Sequence, residues 1–213
     1  MDAKKLKAQL KTNKDNINEK HAVRLHRAIS WLKCAEDIQD NLDLQYISLW
    51  ISFNACYANN LSKGELLSER ESFSDFIKKL VKHDENNRFF NLLWNHFSGT
   101  VRILIENQFV YKPFWEYQRG EIKDWKKQHE KSVTDSMKFL SVKNVEGLLE
   151  VVLDRLYTLR NQLMHGGSTF KSDVNRSQVK DGNNMLKLLV PIVIEIMLIN
   201  KNEDWGDIYY PVV

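Results

Sequence analysis

The amino-acid sequence predicts an all-α protein. Apolar residues recur at three- and four-residue steps along most of the chain, which is the spacing of amphipathic helices. Glycine (8 residues) and proline (3 residues) are scarce among the 213 residues, which argues against the many tight turns of an all-β fold. An apolar fraction of 43% and a charged fraction of 28% are typical of a folded globular protein. Because a chain of this length can bury one sizeable core, the simplest prediction is one helical-bundle domain over 1–213.

The N-terminal half is predicted to contain four helices. The first covers 18–37, and the second, over 44–58, is apolar nearly all round, which indicates a buried central helix. A loop containing a glycine follows over 59–68. Two amphipathic stripes, over 73–81 and 89–97, predict the next two helices.

The C-terminal third is predicted to form two long helices. The first covers 144–165, begins at a capping asparagine and is ended by Gly166 and Gly167. After a polar loop, the last helix covers 176–200. Pro191 is expected to kink this helix or to split it in two, because proline removes a backbone hydrogen bond.

The sequence favours a cytoplasmic protein without membrane association. Residues 1–16 contain no apolar run that would indicate a signal peptide. The most apolar stretch, 186–199, is too short to span a bilayer and contains charged residues, so it is interpreted as a core helix. Cys34 and Cys56 lie in helical apolar patterns and are interpreted as buried small side chains rather than a disulfide, as expected in a reducing compartment.

The net charge of the chain and the spacing of its histidines and glycines bear on whether it binds nucleic acid, a metal or a cofactor. A net charge of +3 is too small to indicate nucleic acid by itself. The N-terminal segment is locally basic, and two interpretations stay open: a solvated helix end, which is favoured, or an arm that attracts phosphates. Its lysines are Lys4, Lys5, Lys7, Lys11 and Lys14. The sequence has no glycine-rich phosphate loop, and His21 and His26 are spaced wrongly for zinc, so no metal and no cofactor are predicted.

Aromatic and basic residues alternate over 107–141, a segment interpreted as a candidate family-variable insertion. Such a mixture can stack on the bases of single-stranded RNA and neutralise its phosphates. Acidic residues are interspersed, however, so the local excess of positive charge is small. A solvated helical hairpin with aromatic undersides is therefore the favoured interpretation.

The helix over 144–165 carries the residues of greatest chemical interest. Arg160 lies at the edge of its apolar stripe, whereas Asn161 and His165, four residues apart, share a face roughly opposite to it. The stripe, which predicts the core face, consists of Val145, Leu148, Leu149, Val152, Leu156, Leu159 and Leu163. A partly apolar strip borders the polar residues and predicts a further contact, with another helix or with a second subunit.

The chemistry of these side chains fits phosphodiester cleavage by an internal 2′-hydroxyl, which needs no metal. An imidazole exchanges a proton near neutral pH, so His165 is a candidate acid or base. Arg160 offers a rigid fork of donors for a phosphate, and Asn161 can hold the imidazole or a hydroxyl without adding charge. Lys171 and Arg176, just after these residues, are candidate contacts to the RNA backbone.

The string RNQLMH over 160–165 resembles the RX4–6H motif of the HEPN superfamily, in which a polar residue usually follows the arginine. The likeness extends through the run LRNQLMHGGSTFKSDVNRSQVKDGNNML and the apolar helix after it. The resemblance implies an HEPN-like helical bundle with additional helices that dimerises with both motifs facing one cleft. It assigns Arg160 and His165 to the catalytic positions and Asn161 to the supporting polar position.

The resemblance also implies metal-independent endoribonuclease activity that leaves a 2′,3′-cyclic phosphate, in a toxin–antitoxin or phage-defence setting. RNA, a second copy of the chain and a protein antitoxin are the implied partners. Gly167 stands where some HEPN toxins carry a tyrosine that an antitoxin modifies, so that form of regulation is not expected. The alternative is a non-catalytic module that dimerises or binds RNA or protein, with the motif as a structural polar cluster.

Overall fold

The structure is a computed structural model that describes residues 2–13, 16–58, 69–208 and 210. Within these ranges the chain forms helices joined by turns and loops, with no β-strand, which confirms the predicted all-α class. Lys14 and the predicted loop over 59–68 lie outside the described residues.

The helices are labelled in chain order. They are α1 (Ala3–Thr12), α2 (Glu19–Asp37), α3 (Leu42–Tyr57), α4 (Glu69–Lys82), α5 (Arg88–His96), a π-helix (Phe97–Val101), α6 (Arg102–Glu106), a 3-10 helix (Gln108–Val110), α7 (Lys112–Gln118), α8 (Lys126–Ser141), α9 (Val145–Met164) and α10 (Arg176–Ile199). The chain divides into two compact units, one formed by 1–86 with 186–213 and the other by 87–185. The single domain over 1–213 stays a prediction.

Asparagine caps set the starts of α2 and α3 in the first unit. The side-chain oxygen of Asn18 accepts the N–H of Lys20 at 2.9 Å, and that of Asn41 accepts the N–H of Leu44 at 3.2 Å. A capping side chain satisfies one of the N–H groups that have no partner at the start of a helix. Both predicted helices are confirmed, with boundaries that agree to within two residues.

The predicted burial of α3 is confirmed. Tyr46, Leu49, Phe53 and Cys56 are each at most 1% exposed, and α3 packs along α2. Burial raises the pKa of the Cys56 thiol to about 12. Both cysteines are free thiols, as expected, but only Cys56 is buried, since Cys34 is half-buried.

The basic N-terminal segment forms α1 and packs on α2. Asp2 caps the helix by accepting the N–H of Lys5 at 2.8 Å, and the N–H of Ala3 donates to Glu36 Oε1 at 2.8 Å. Ala3 and Leu6 are fully buried. The lysines within the described residues project from the exposed face, so this segment is a packed helix rather than a frayed end.

The segment after α10 is held in the first unit by Trp205, a residue that the sequence pattern did not single out. Its side chain is 5% exposed, and its Nε1 donates to the carbonyl oxygen of Asn200 at 3.0 Å. The ring lies 6.0 Å from the rings of Phe76 and His83. Arg24 donates to the carbonyl oxygen of the residue that follows the tryptophan, at 2.9 Å.

In the described part of the chain, α10 alone is long and apolar enough to cross a membrane by length and composition. Of its most apolar window, 67% is buried inside the protein, as in the core helix that was predicted for 186–199. The helix is continuous through Pro191, so the expected split does not occur. Four residues within three positions of the proline are 0% exposed: Leu189, Val190, Val193 and Ile194. Their packing offsets the backbone hydrogen bond that the proline removes.

The second unit is built on α9, against which α5, α6, α8 and the 3-10 helix pack. Most of the predicted core stripe is confirmed, because Leu148, Leu149, Val152, Leu156 and Leu159 are at most 1% exposed. The two ends of the stripe, at positions 145 and 163, are only half-buried. The residue at 153, expected between the faces, is fully buried.

The aromatic side chains of 107–141 form a small core of their own. Tyr111, Phe114 and Trp125 are each less than a tenth exposed and pack together. This packing agrees with the favoured interpretation, a helical hairpin with aromatic undersides. Phe109 and Tyr117 differ from the others, since each keeps 44% of its surface exposed.

We predict that Trp205→Ala lowers the free energy of unfolding by about 3–5 kcal/mol, because it leaves a cavity among buried rings. Trp31→Ala is the matched control, since Trp31 is 40% exposed. Urea unfolding followed by circular dichroism measures both. Equal midpoints for the two variants would contradict the anchoring role of Trp205.

Candidate functional site

The C-terminal end of α9 is closed by a pair of glycines. The N–H of Gly167 donates to the carbonyl oxygen of Gln162 at 2.7 Å, and that of Gly166 donates to Leu163 at 3.4 Å. These two bonds form a Schellman motif, in which the residue after the helix cap adopts a left-handed conformation. Gly166 has φ +70°. The motif makes His165 the capping residue and fixes the direction in which the chain leaves the helix.

A side chain at Gly167 would crowd the backbone of α9. A Cβ atom at this position would lie 3.0 Å from the carbonyl oxygen of Gln162. The close approach is required by the hydrogen bond between these two residues. The predicted helix end at these glycines is thus confirmed. Geometry favours glycine at both positions, through the positive φ of Gly166 and the close approach of Gly167 to Gln162.

Asn161 bonds one of the two other residues of the predicted site through its side chain. Its Oδ1 accepts a hydrogen bond from Arg160 Nη1 at 2.8 Å. Its bond to His165, from the N–H of His165 to its carbonyl oxygen at 3.0 Å, is the ordinary backbone bond of the helix. The side chain therefore holds the guanidinium, whereas the sequence suggested that it could hold the imidazole. The imidazole is exposed and forms no hydrogen bond with any described residue.

Arg160 is half-buried, and its donors are used unequally. Its guanidinium carbon lies 5.8 Å from the centre of the Tyr157 ring. Nη1 bonds to Asn161, while Nε is buried without a hydrogen-bond partner among the described residues. Nη2 forms no hydrogen bond in the same set. The planar group is fixed at one corner and keeps donors for an external acceptor.

The two candidate phosphate contacts lie in the loop after α9 and at the start of α10. Lys171 is exposed, has φ +57° and places its Nζ 5.5 Å from the centre of the Phe170 ring. Arg176 is half-buried, and its Nε donates to the carbonyl oxygen of Ser172 at 3.4 Å. Arg176 thus helps to close its own loop.

Gln162 was missed by the sequence analysis although it lies within the motif. Its Nε2 donates to the carbonyl oxygen of Phe109. The same oxygen accepts a hydrogen bond from Trp115 Nε1 at 2.8 Å. The bond from Gln162 attaches the segment that contains Phe109 to the end of α9. No local pattern could have predicted this bond, because 53 residues separate Gln162 from Phe109.

Arg155 was also missed, and it holds α8 and Tyr111 against α9. The side chain is 1% exposed, its Nη2 donates to Ser132 Oγ at 2.8 Å, and its guanidinium lies 4.3 Å from the centre of the Tyr111 ring. Burial lowers the pKa of Arg155, and Asp154 beside it acts in the opposite direction. Burial also lowers the pKa of His129, whose ring lies 5.0 Å from that of Tyr111. We interpret this cluster of Arg155, Ser132, Tyr111 and His129 as a support for α9, the helix that carries the RNQLMH motif.

No protein-family model, curated protein or solved structure matches this chain. Membership of the HEPN superfamily is therefore a proposal that depends on the chain's own residues. Within the described ranges, no three His, Cys, Asp or Glu residues are grouped as ligands for a metal ion.

We predict a graded loss of stability on substitution of Gly166, because its φ of +70° is unfavourable for a residue with a side chain. Gly166→Ala should lower the free energy of unfolding by about 1–2 kcal/mol. Gly166→Asn is the matched control and should cost less, since asparagine tolerates this conformation. Gly166→Val should cost the most. Thermal unfolding ranks the three variants, and equal midpoints would contradict the Schellman closure.

Proposed function

We propose that this chain is a metal-independent endoribonuclease of the HEPN type, with Arg160, Asn161 and His165 as its site. The observation that supports this most is the presence of all three at the end of one helix, where the side chain of Asn161 bonds the Arg160 guanidinium. The imidazole of His165, at the cap of the same helix, is exposed. A restrained cation and an exposed imidazole are the two kinds of group that cleavage of a phosphodiester by its own 2′-hydroxyl requires.

In the proposed reaction, the 2′-oxygen forms a bond to phosphorus, and the bond between phosphorus and the 5′-oxygen breaks. A base accepts the 2′-proton and an acid donates a proton to the 5′-oxygen. The products are a 2′,3′-cyclic phosphate and a 5′-hydroxyl. His165 moves the proton because its ring is exposed and unbonded, and Arg160 stabilises the charge that develops on the phosphate oxygens.

A homodimer supplies two such motifs to one cleft, so that one imidazole serves as base and the other as acid. The distribution of charge favours an anionic ligand on the unit that carries the motif. Residues 87–185 contain 15 Lys and Arg against 11 Asp and Glu. The rest of the chain contains 16 Lys and Arg against 17 Asp and Glu. The positive charge is thus concentrated where RNA is proposed to bind.

The proposed setting is the cytoplasm, in a toxin–antitoxin or phage-defence system with a protein antitoxin as partner. Exposed apolar side chains lie within the motif and just after it, as expected for a surface that meets another chain. Met164, Phe170 and Val174 are 50%, 64% and 89% exposed. This setting rests on the resemblance of RNQLMH to the HEPN motif.

We predict that the wild type cleaves single-stranded RNA in EDTA and that His165→Ala lowers the rate by about 10²- to 10⁴-fold, the usual contribution of a positioned acid or base. Arg160→Lys should lower it by about 10²-fold, since lysine keeps the charge but loses the fork of donors. The product ends, mapped in the same reaction, should be a cyclic phosphate and a 5′-hydroxyl.

His26→Ala is the matched control for the cleavage assay, because His26 is also an exposed histidine and lies in the other unit. It should cleave at the wild-type rate. If the folded, dimeric wild type does not cleave RNA, the nuclease hypothesis is wrong, and the alternative of a non-catalytic binding module takes its place.

We predict a dimer in solution, with twice the chain mass of 25.1 kDa. Sedimentation velocity measures this directly. Met164→Glu and Phe170→Glu should shift the equilibrium toward monomer. Each replaces an exposed apolar side chain, in the motif or shortly after it, by a charged one. A wild type that stays monomeric at high concentration would contradict a cleft built from two motifs.

A further inference from the structure

Phe109 is an exposed aromatic ring that is held in a fixed position. Its N–H donates to Asn107 Oδ1 at 2.9 Å, and its ring meets that of Phe114 edge-on at 5.5 Å. Its carbonyl oxygen accepts hydrogen bonds from Trp115 Nε1 and Gln162 Nε2. A surface phenylalanine normally loses conformational freedom on binding. Here the backbone and one edge of the ring are already fixed, and 44% of the residue's surface stays exposed.

The attachment of Phe109 places it beside the proposed site. Gln162, which binds the Phe109 carbonyl, lies directly after Asn161 and three residues before His165. Residues three apart on a helix are neighbours on its surface. Phe109 is therefore attached to α9 within one turn of the exposed imidazole.

We propose that Phe109 is a stacking platform for one unpaired nucleobase of the RNA, next to the phosphate that the motif cleaves. This inference rests on the proposed ribonuclease function and adds to it a residue outside the motif that positions the substrate strand. The π-face of an aromatic ring stacks on any of the four bases. The surrounding unit carries the positive charge that attracts the backbone. Phe109 thus positions the strand, and it is not a catalytic residue.

Tyr117 provides a matched control from the same segment. It is also 44% exposed, but no hydrogen bond or ring contact joins it to α9 in the described part of the chain. Phe109→Ala removes the ring yet keeps the main-chain carbonyl that Gln162 and Trp115 bind. Phe109→Leu retains an apolar side chain against Phe114 and loses only the aromatic face.

The experiment measures the binding of an intact RNA to the uncleaving His165→Ala protein. The probe is a fluorescein-labelled single strand of mixed sequence containing 2-aminopurine, followed by anisotropy and by 2-aminopurine emission. We expect quenching on binding, and a loss of affinity of about tenfold to a hundredfold with Phe109→Ala or Phe109→Leu added. Phe109→Tyr and Tyr117→Ala should bind and quench as the parent does. A fully paired duplex should bind equally to all variants.

Two outcomes would overturn the inference, and they are distinguishable. If single strands bind equally well with and without the Phe109 ring, stacking is wrong while the nuclease stays supported by its cleavage assay. If neither the parent nor the wild type binds single-stranded RNA, the proposed function falls together with the platform. Circular dichroism of each variant verifies that the helices are intact, and the loss shown by Phe109→Leu separates stacking from packing.

Discussion

The burial of one face of α9 is the constraint on which the unit 87–185 depends. Three other helices and the 3-10 helix pack against this face, and each fully buried leucine stabilises the fold by about 1.5–3 kcal/mol. Because this face must point inward, the rotation of α9 about its axis is fixed. That rotation leaves Arg160 half-buried at the edge of the core and His165 in solvent. The direction of the motif is thus a consequence of hydrophobic packing, and no local interaction of the motif needs to set it.

Arg160 and His165 are held in contrasting ways, and the contrast suits what is proposed for each. The guanidinium is restrained by its bond to Asn161 and by the partial burial of Arg160. Its charge can therefore stabilise a transition state with little reorganisation. The imidazole is exposed and has no hydrogen bond to a described residue, so it can turn toward the substrate oxygen with which it exchanges a proton. Arg155 lies about one and a half turns before Arg160 and supports α9 from its buried side.

Local sequence signals predicted the helices and much of the candidate site. Asn144 caps α9 as expected, and the two glycines end this helix where the pattern placed them. Contacts between distant residues could not be predicted in this way. The hydrogen bond from Gln162 spans 53 residues, and that from Arg155 to Ser132 spans 23.

Two further features of the structure could not be predicted from local sequence. Pro191 was expected to kink or split its helix, and the split does not occur, since buried side chains surround the proline and α10 is continuous. The Asn161 side chain, free by periodicity to face the imidazole, bonds the guanidinium instead. A helical wheel gives the direction of a side chain but not its rotamer, and the choice of partner depends on the rotamer.

The attachment of the 3-10 helix to α9 has an evolutionary consequence. The bonds from Gln162 and Trp115 end on a main-chain oxygen, which every amino acid carries at position 109. A point mutation there can therefore exchange the side chain displayed beside the motif without dismantling its support. Relatives that diverged at this single codon would share a scaffold and differ in the surface that they present.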